Sequence, residues 1–173
     1  PGNLLDSLSP LIKAPDASRG ERVEVMAMLS QHFDVIVTAG DRKASRPVLG
    51  ASKAFLPVAG APIITHVLSA VERARCTARI FVVGDIAQLE KALANPHSPF
   101  REACPLMLLE QGQTLYENVW NAFLHTLPNY TPGMDWQEYI GTEAVDKAVL
   151  VMPGDMPLAT PHEIDAFVDG CDL

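Results

Sequence analysis

Three things are scarce in this sequence: cysteine, basic charge and long apolar runs. Only three cysteines occur in 173 residues, Cys76, Cys104 and Cys171. An odd number at wide spacing suggests neither a disulfide framework nor a zinc cluster, and it favours reduced thiols in a cytoplasmic protein. No apolar stretch reaches the roughly 18 residues that a membrane helix needs, and no signal-peptide pattern opens the chain. Lys and Arg number 13 against 21 Asp and Glu, a formal charge of -8. A net acidic surface repels polyanions, so nucleic acid and anionic membranes are not expected partners. A small phosphorylated ligand stays open, because it needs only a local basic pocket. Internal repeats and low-complexity tracts are also missing.

What is present fits a globular domain, with 48% hydrophobic and 20% charged residues. Residues 1–33, broken by Gly2, Pro10, Pro15 and Gly20, read as an N-terminal extension in which 21–32 could be helical. From residue 34 a regular alternation begins. Short apolar runs at 34–38, 79–83, 106–109 and 148–152 suit strands buried on both faces. Helical patterns lie between them. Ile63, Ile64, Val67, Leu68 and Val71 share one helical face after Pro62, which suits a first helical turn. Asp85 can cap a helix over 86–94. Thr114 with Glu117, and Thr160 with Glu163 behind Pro161, form two capping boxes. Residues 128–142 read as an irregular insertion. Four strands alternating with helices predict an α/β, Rossmann-like, mostly parallel sheet flanked by helices.

In such a sheet, ligands bind beyond the carboxyl ends of the strands. The segments leaving those ends here are 39–53, 84–85, 110–114 and 153–155, and they hold much of the Gly and small polar content. The first contains Ala39-Gly40-Asp41-Arg42-Lys43 and later Lys53. Glycine lets backbone N–H groups approach phosphate oxygens, and Lys53 can neutralise a phosphate. The loop is neither a Walker A motif nor a Gly-x-Gly-x-x-Gly fingerprint, and alone it could be an ordinary solvated basic loop. Asp155, at the end of the last strand, is a natural Mg²⁺ ligand beside phosphate oxygens, or else a turn Asp bonded to its own backbone. Gln111, Gly112, Gln113 and Thr114 leave the third strand and could read a base or ribose edge. Asn118 lies one turn after Thr114. His66 and His125 read as packing or surface residues, His162 as a weak site candidate, and Trp120 with Phe123 as core.

These residues resemble those of a known family. Val35-Ile36-Val37-Thr38-Ala39-Gly40, then Lys53-Ala54-Phe55-Leu56-Pro57-Val58-Ala59-Gly60-Ala61-Pro62-Ile63-Ile64, is similar to the opening of the MobA-like NTP transferases. Gly154-Asp155-Met156-Pro157-Leu158 resembles that family's metal-binding strand end. Gln111, Gly112, Gln113, Thr114 and Asn118 resemble the stretch where related cytidylyltransferases contact the nucleotide. The resemblance spans about residues 34–168. It implies a GT-A-like fold, an NTP donor, Mg²⁺ and release of pyrophosphate. It also implies backbone contacts from Ala39 and Gly40, phosphate binding by Lys53, and metal binding by Asp155. Asp41 departs from the pattern, since many members carry a second Gly there. The family's sheet continues past this length, so the expectation is an incomplete domain whose acceptor-binding part is not in the chain.

The expected function is transfer of a nucleoside monophosphate from an NTP to a small phosphorylated or hydroxyl acceptor. Asp41, Arg42, Gln111, Gly112, Thr114 and Asn118 complete the candidate nucleotide-binding set. A non-catalytic nucleotide or nucleotide-sugar sensor, motivated by Asp41, is one alternative. A glycosyltransferase of similar fold is another, but Met156 and Pro157 stand where its Asp-x-Asp pair would continue. A ligand-free interaction domain would leave the clustering at strand ends unexplained. Neither the acceptor, the base nor the oligomeric state is readable.

Overall fold

A computed structural model describes residues 32–40, 52–135 and 147–172. The expectations for residues 1–31, for Asp41 and Arg42, and for 136–142 of the 128–142 insertion lie outside the described residues. Four parallel strands form the main sheet: β1 (Phe33–Thr38), β4 (Thr77–Gly84), β5 (Leu106–Glu110) and β6 (Val149–Pro153), in the order β5-β4-β1-β6. Between β1 and β4 lie a 3₁₀ turn (Lys53–Phe55), a small antiparallel hairpin of β2 (Pro57–Val58) and β3 (Ala61–Pro62), and helix α1 (Ile63–Arg73). Helices α2 (Ile86–Leu93), α3 (Leu115–Thr126) and α4 (Pro161–Asp169) follow β4, β5 and β6.

Alternation along the strands builds two cores. Val35 and Val37 of β1, Ile80 and Val82 of β4, and Met152 of β6 point to the face covered by α1, α2 and α4. There they meet Ile64, Val67, Leu68, Leu89, Ile164 and Val168. The intervening residues Ile36, Phe81, Val83 and Leu109 point to the other face, under Ala122 and Phe123 of α3. Both faces of β1 and β4 are covered, which is why their sequences are apolar without a break. Full burial of each such side chain contributes roughly 1.5–3 kcal/mol.

The sequence expectation and the structure differ in detail around α1. The hairpin turn uses Ala59 at φ 50° and Gly60 at φ 86°, and two successive positive φ values suit a tight two-residue turn. Pro62 pairs with Pro57 and keeps extended backbone, so it precedes the helix rather than occupying its first turn. The Thr65 hydroxyl donates to Pro62 O at 2.7 Å. The other predicted caps form as expected. Asp85 accepts from Gln88 N, and both Thr–Glu capping boxes are complete. Strand β6 continues one residue beyond expectation, to Pro153, which pairs with Thr38. β6 has one strand neighbour among the described residues, and an edge position tolerates proline's missing donor.

The amino end of the sheet is tied by a buried charge. Asp34 is only 4% exposed and accepts from Arg79 Nε at 2.7 Å and Arg79 Nη2 at 2.6 Å. Lys147 Nζ donates to the same carboxylate. Both cations also donate to Thr126 O at the end of α3, at 2.9 and 2.7 Å. One carboxylate therefore joins β1, β4, the approach to β6 and α3. Burial pushes the Asp34 carboxyl up, but hydrogen bonds and charges from Arg79 and Lys147 outweigh it and hold it below its ordinary value.

The carboxyl end is instead held by the absence of side chains. Ala39 N donates to Val83 O at 2.8 Å, and Gly154 N donates to Thr38 O at 2.8 Å. A Cβ on Gly154 would stand 2.7 Å from Ile64 Cδ1, 3.1 Å from Thr38 O and 3.4 Å from Ala39 Cβ. One on Gly84 would stand 3.2 Å from Leu89 Cδ1 and 3.3 Å from Ala39 O. Glycine at both places lets three strand ends close around Ala39.

Two stability predictions arise here. Asp34→Asn removes the charge and leaves two cations facing each other. Breaking a buried pair on one side typically costs ~3–5 kcal/mol, and the partial exposure of Arg79 and Lys147 reduces the expectation to about 2 kcal/mol. Because the folded pKa is depressed, the contribution is present above the unfolded value near ~3.9 and is lost as pH falls through the folded value. Urea midpoints should therefore separate wild type from Asp34→Asn at pH 7 and converge toward pH 3; an equal gap at both would refute the assignment. Gly154→Ala should lower stability by about 1–3 kcal/mol through overpacking against Ile64 and the β1 backbone. An unchanged urea midpoint would show that the strand ends have room to spare.

Candidate functional site

The strand order contains a reversal. Strands β4 and β5 are laid successively on one side of β1, and β6 then returns to its other side. The crossing segment also changes face, since α1 and α2 share one core with α4 while α3 joins the other. In open parallel sheets ligands bind at such a switch point, which here lies beyond the carboxyl ends of β1 and β6. Ala39 and Gly40 leave β1 at this place, and Gly154 and Asp155 leave β6 beside them.

Lys53 is brought to the start of α1 by local chemistry. It opens the 3₁₀ turn, in which Phe55 N donates to Ser52 O and Leu56 N to Lys53 O. Ala54 is buried in the core beneath, and Ile63 N donates to Leu56 O, so the turn is fixed to the first turn of α1. The Lys53 side chain stays exposed. Gly154 packs against Ile64 in the same first turn of α1. The segments that carry Lys53 and Asp155 are thus anchored on one helix end, at one face of the sheet. They form no ion pair with each other. Asp155 is exposed and has no hydrogen-bond or ion-pair partner among the described residues. A carboxylate without a partner at a strand end is chemically available to a hard cation. No group of three or more His, Cys, Asp or Glu that could hold a metal occurs among the described residues. Mg²⁺ retains most of its waters and needs one or two carboxylates, so Asp155 alone is a donor set that fits it.

The β1 and β5 loops meet on the other side of Gly40. A Cβ on Gly40 would stand 3.0 Å from Asn118 Nδ2 and 3.1 Å from Gln111 Oε1. Gln111 N donates to Gly84 O at 3.0 Å, extending the β4–β5 ladder by one bond. Gly112 N donates to Asn118 Oδ1 at 2.6 Å. Gln113 N and Thr114 N both donate to Glu117 Oε2, at 2.7 and 3.0 Å. Thr114 Oγ1 accepts from Glu117 N at 3.1 Å, which makes it a helix cap. Asn118 does not face solvent: it is 7% exposed.

Of the sequence candidates, Gly40, Gln111, Gly112 and Asn118 therefore form one cluster. Ala39 sits between that cluster and Gly154, while Lys53 and Asp155 border the α1 side. Asp41 and Arg42 lie outside the described residues. Of the pair expected as core, Phe123 packs on the second core, and both it and Trp120 are partly buried and line an apolar groove with Tyr116, Val119 and Val149. Sequence reasoning missed the role of Glu117 beyond the capping box. A helix N-terminus is ordinarily a ready anion site. Here the N–H groups of residues 112–114 are already taken by Glu117 and Asn118, and a carboxylate stands among them. The signal was the adjacent Glu117-Asn118 pair in the first turn after a Gly-x-Thr loop.

Comparison with known proteins fits this geometry. Residues 35–172 match the MobA-like NTP transferase domain. No curated protein matches the sequence. Among solved structures, 4-diphosphocytidyl-2C-methyl-D-erythritol synthase from Anaerococcus prevotii is similar at 16% identity and a TM-score of 0.54, over 83% of this chain and 52% of that one. A CMP:2-keto-3-deoxy-manno-octonic acid synthetase complexed with CTP is similar at 17% identity and a TM-score of 0.50, over 82% and 47%. The protein Rv0371c from Mycobacterium tuberculosis H37Rv is similar at 16% identity and a TM-score of 0.52, over 81% and 60%. At these identities the likeness is one of fold. The chain spans about half the length of the first two structures and 60% of the third. With the family pattern running from Val35 in β1 to residue 172, just past the end of α4, the chain belongs to the MobA-like NTP transferase family.

Proposed function

We propose that this chain carries the nucleotide-binding portion of a Mg²⁺-dependent nucleotidyltransferase. It would move a nucleoside monophosphate from an NTP onto a small phosphorylated or hydroxyl acceptor and release pyrophosphate. The observation that carries this reading is the convergence at the switch point. Gly40, Gly154 and Asp155 leave adjacent parallel strands, and the Lys53 turn is docked on the same helix end as Gly154. Membership of the NTP transferase family and the CTP named with one structural neighbour support an NTP donor.

The availability of donors suggests how the nucleotide lies. The β5–α3 loop has no N–H to offer at residues 112–114, and Glu117 repels anions there. The phosphates are favoured on the other side, near Lys53 and the uncommitted Asp155. The base and ribose are left for the Gly40, Gln111 and Gly112 side. In this arrangement Lys53 holds phosphate oxygens and compensates charge as the α-phosphate is attacked in line. Asp155 would hold Mg²⁺, which when bound neutralises charge on the phosphate oxygens. Positioning and charge compensation suffice for such a transfer, so no protein nucleophile is required.

Two substitutions test this in the complete protein with Mg²⁺, a panel of NTPs and acceptors. Asp155→Ala should abolish metal-dependent pyrophosphate release while thermal unfolding stays near wild type, because Asp155 has no structural partner among the described residues. Lys53→Ala should lower turnover by ~10²–10³. Wild-type activity in Asp155→Ala would sink the metal assignment. Nucleotide-dependent thermal stabilisation without pyrophosphate release, with acceptors present, would favour a nucleotide sensor instead.

A further inference from the structure

Asn118 is buried beside the crevice yet belongs to neither core. One planar amide touches two loops. Gly112 N–H can only donate, so the atom it meets at 2.6 Å is Oδ1, and Nδ2 must face Gly40. Glycine at 40 is what allows that approach, since a Cβ there would fall 3.0 Å from Nδ2. The backbone donors of the β5–α3 loop are then all assigned: Gln111 N to Gly84 O, Gly112 N to Asn118, and Gln113 N and Thr114 N to Glu117. Asn118 thus links the β5–α3 loop to the β1 end beside two other groups, Gly84, which lies against Ala39, and Gln111 Oε1, which lies against Gly40.

We infer that Asn118 is a positioning residue that fixes the spacing between the β1 and β5 loops. It acts through its acceptor on Gly112, and does not contact the nucleotide directly. The kinetic part of this inference rests on the nucleotidyltransferase reading; the structural part does not. If the amide holds Gly112 against Gly40, its loss lets the β5–α3 loop drift and weakens nucleotide binding. The groups near the phosphates are unchanged. The effect should therefore fall on KM for the NTP and spare kcat.

The test uses Asn118→Ala and Asn118→Asp in the complete protein. The aspartate keeps an acceptor for Gly112 but cannot donate from the position of Nδ2. Gly112 amide exchange is measured without nucleotide, KM and kcat from pyrophosphate release, and folding from thermal denaturation. Asn118→Ala should speed Gly112 exchange about tenfold and raise KM about tenfold, with kcat within about threefold. Asn118→Asp should restore protection of Gly112 and most of the affinity. Equal KM defects in both variants, with Gly112 still protected in the aspartate, would overturn the inference in favour of direct contact through Nδ2. Unchanged exchange and KM in Asn118→Ala would overturn it outright. If Asn118→Ala does not fold, Asn118→Asp decides the matter by the same two readouts. If the wild type turns over no NTP, the proposed function fails, while Gly112 exchange still shows whether Asn118 holds the loop.

Discussion

The site depends on how closely three strand ends can approach one another. Ala39 is the centre of that approach. Its methyl lies 3.4 Å from where the Cβ of either Gly84 or Gly154 would be, and its own side chain is only 3% exposed. Any larger side chain at these places would spread β4 and β6 from β1 and widen the crevice where the loops diverge. Close packing transmits such a change, because protein interiors leave few voids to absorb it. The short distances among backbone groups are thus a precondition for the loops meeting at all. Gly40 extends the same requirement one residue further, toward Asn118.

The two ends of the sheet solve opposite problems. At the amino end, Asp34 gathers two cations and a helix-terminal carbonyl into one network that ties four elements together. The carboxylates at the starts of α2, α3 and α4 are committed as well. Asp85 accepts from Gln88, Glu117 from residues 113 and 114, and Glu163 from Thr160. Hydrogen bonds of this kind hold Asp85 and Glu163 below their ordinary pKa values. Asp165 on α4 accepts from Cys76 N and Arg75, tying that helix to the turn before β4. These groups stabilise the fold because their partners are already in place.

Much of this was legible in the sequence because it depends on local signals. Continuous apolar runs gave the four strands, and the Thr–Glu spacings gave both capping boxes, because each needs residues only a few positions apart. The extent of β6 to Pro153 was not legible, since a proline argues against a strand unless its position at the edge of the described sheet is known. The extended piece ending at Val58 and its Ala59-Gly60 turn were legible, but Pro62 was placed one position too far into α1 because the return strand Ala61–Pro62 is only two residues long. Trp120 and Phe123 looked like core from helical spacing alone. Their partial exposure follows from α3 being the only described helix on its face of the sheet, which is a matter of topology. For the site, residue types at strand ends were enough to nominate Gly40, Lys53, Asp155 and Asn118. The direction in which Asn118 points could not be nominated, because it follows from Gly112, six residues away, needing an acceptor.

The difference between committed and uncommitted charge is the strongest physical reason to place phosphate chemistry at β6 rather than at α3. A helix start is usually the better anion site, since its N–H groups are unsatisfied and its dipole is favourable. Here Glu117 takes the N–H groups of residues 113 and 114 and Thr114 takes that of Glu117, so a carboxylate already stands at the α3 start. Displacing that carboxylate would cost the loop its ordering bonds and bring two anions together. Asp155 and Lys53 carry no such cost, because neither has a partner among the described residues to lose. On the proposed function, a negative ligand accompanied by a divalent cation would gain from both residues, the cation from Asp155 and the phosphate from Lys53. An anion alone would gain from Lys53 only. On the proposed function, Lys53 and Asp155 would together take a metal-bound polyphosphate in preference to a simple phosphate, because both side chains are unpaired among the described residues.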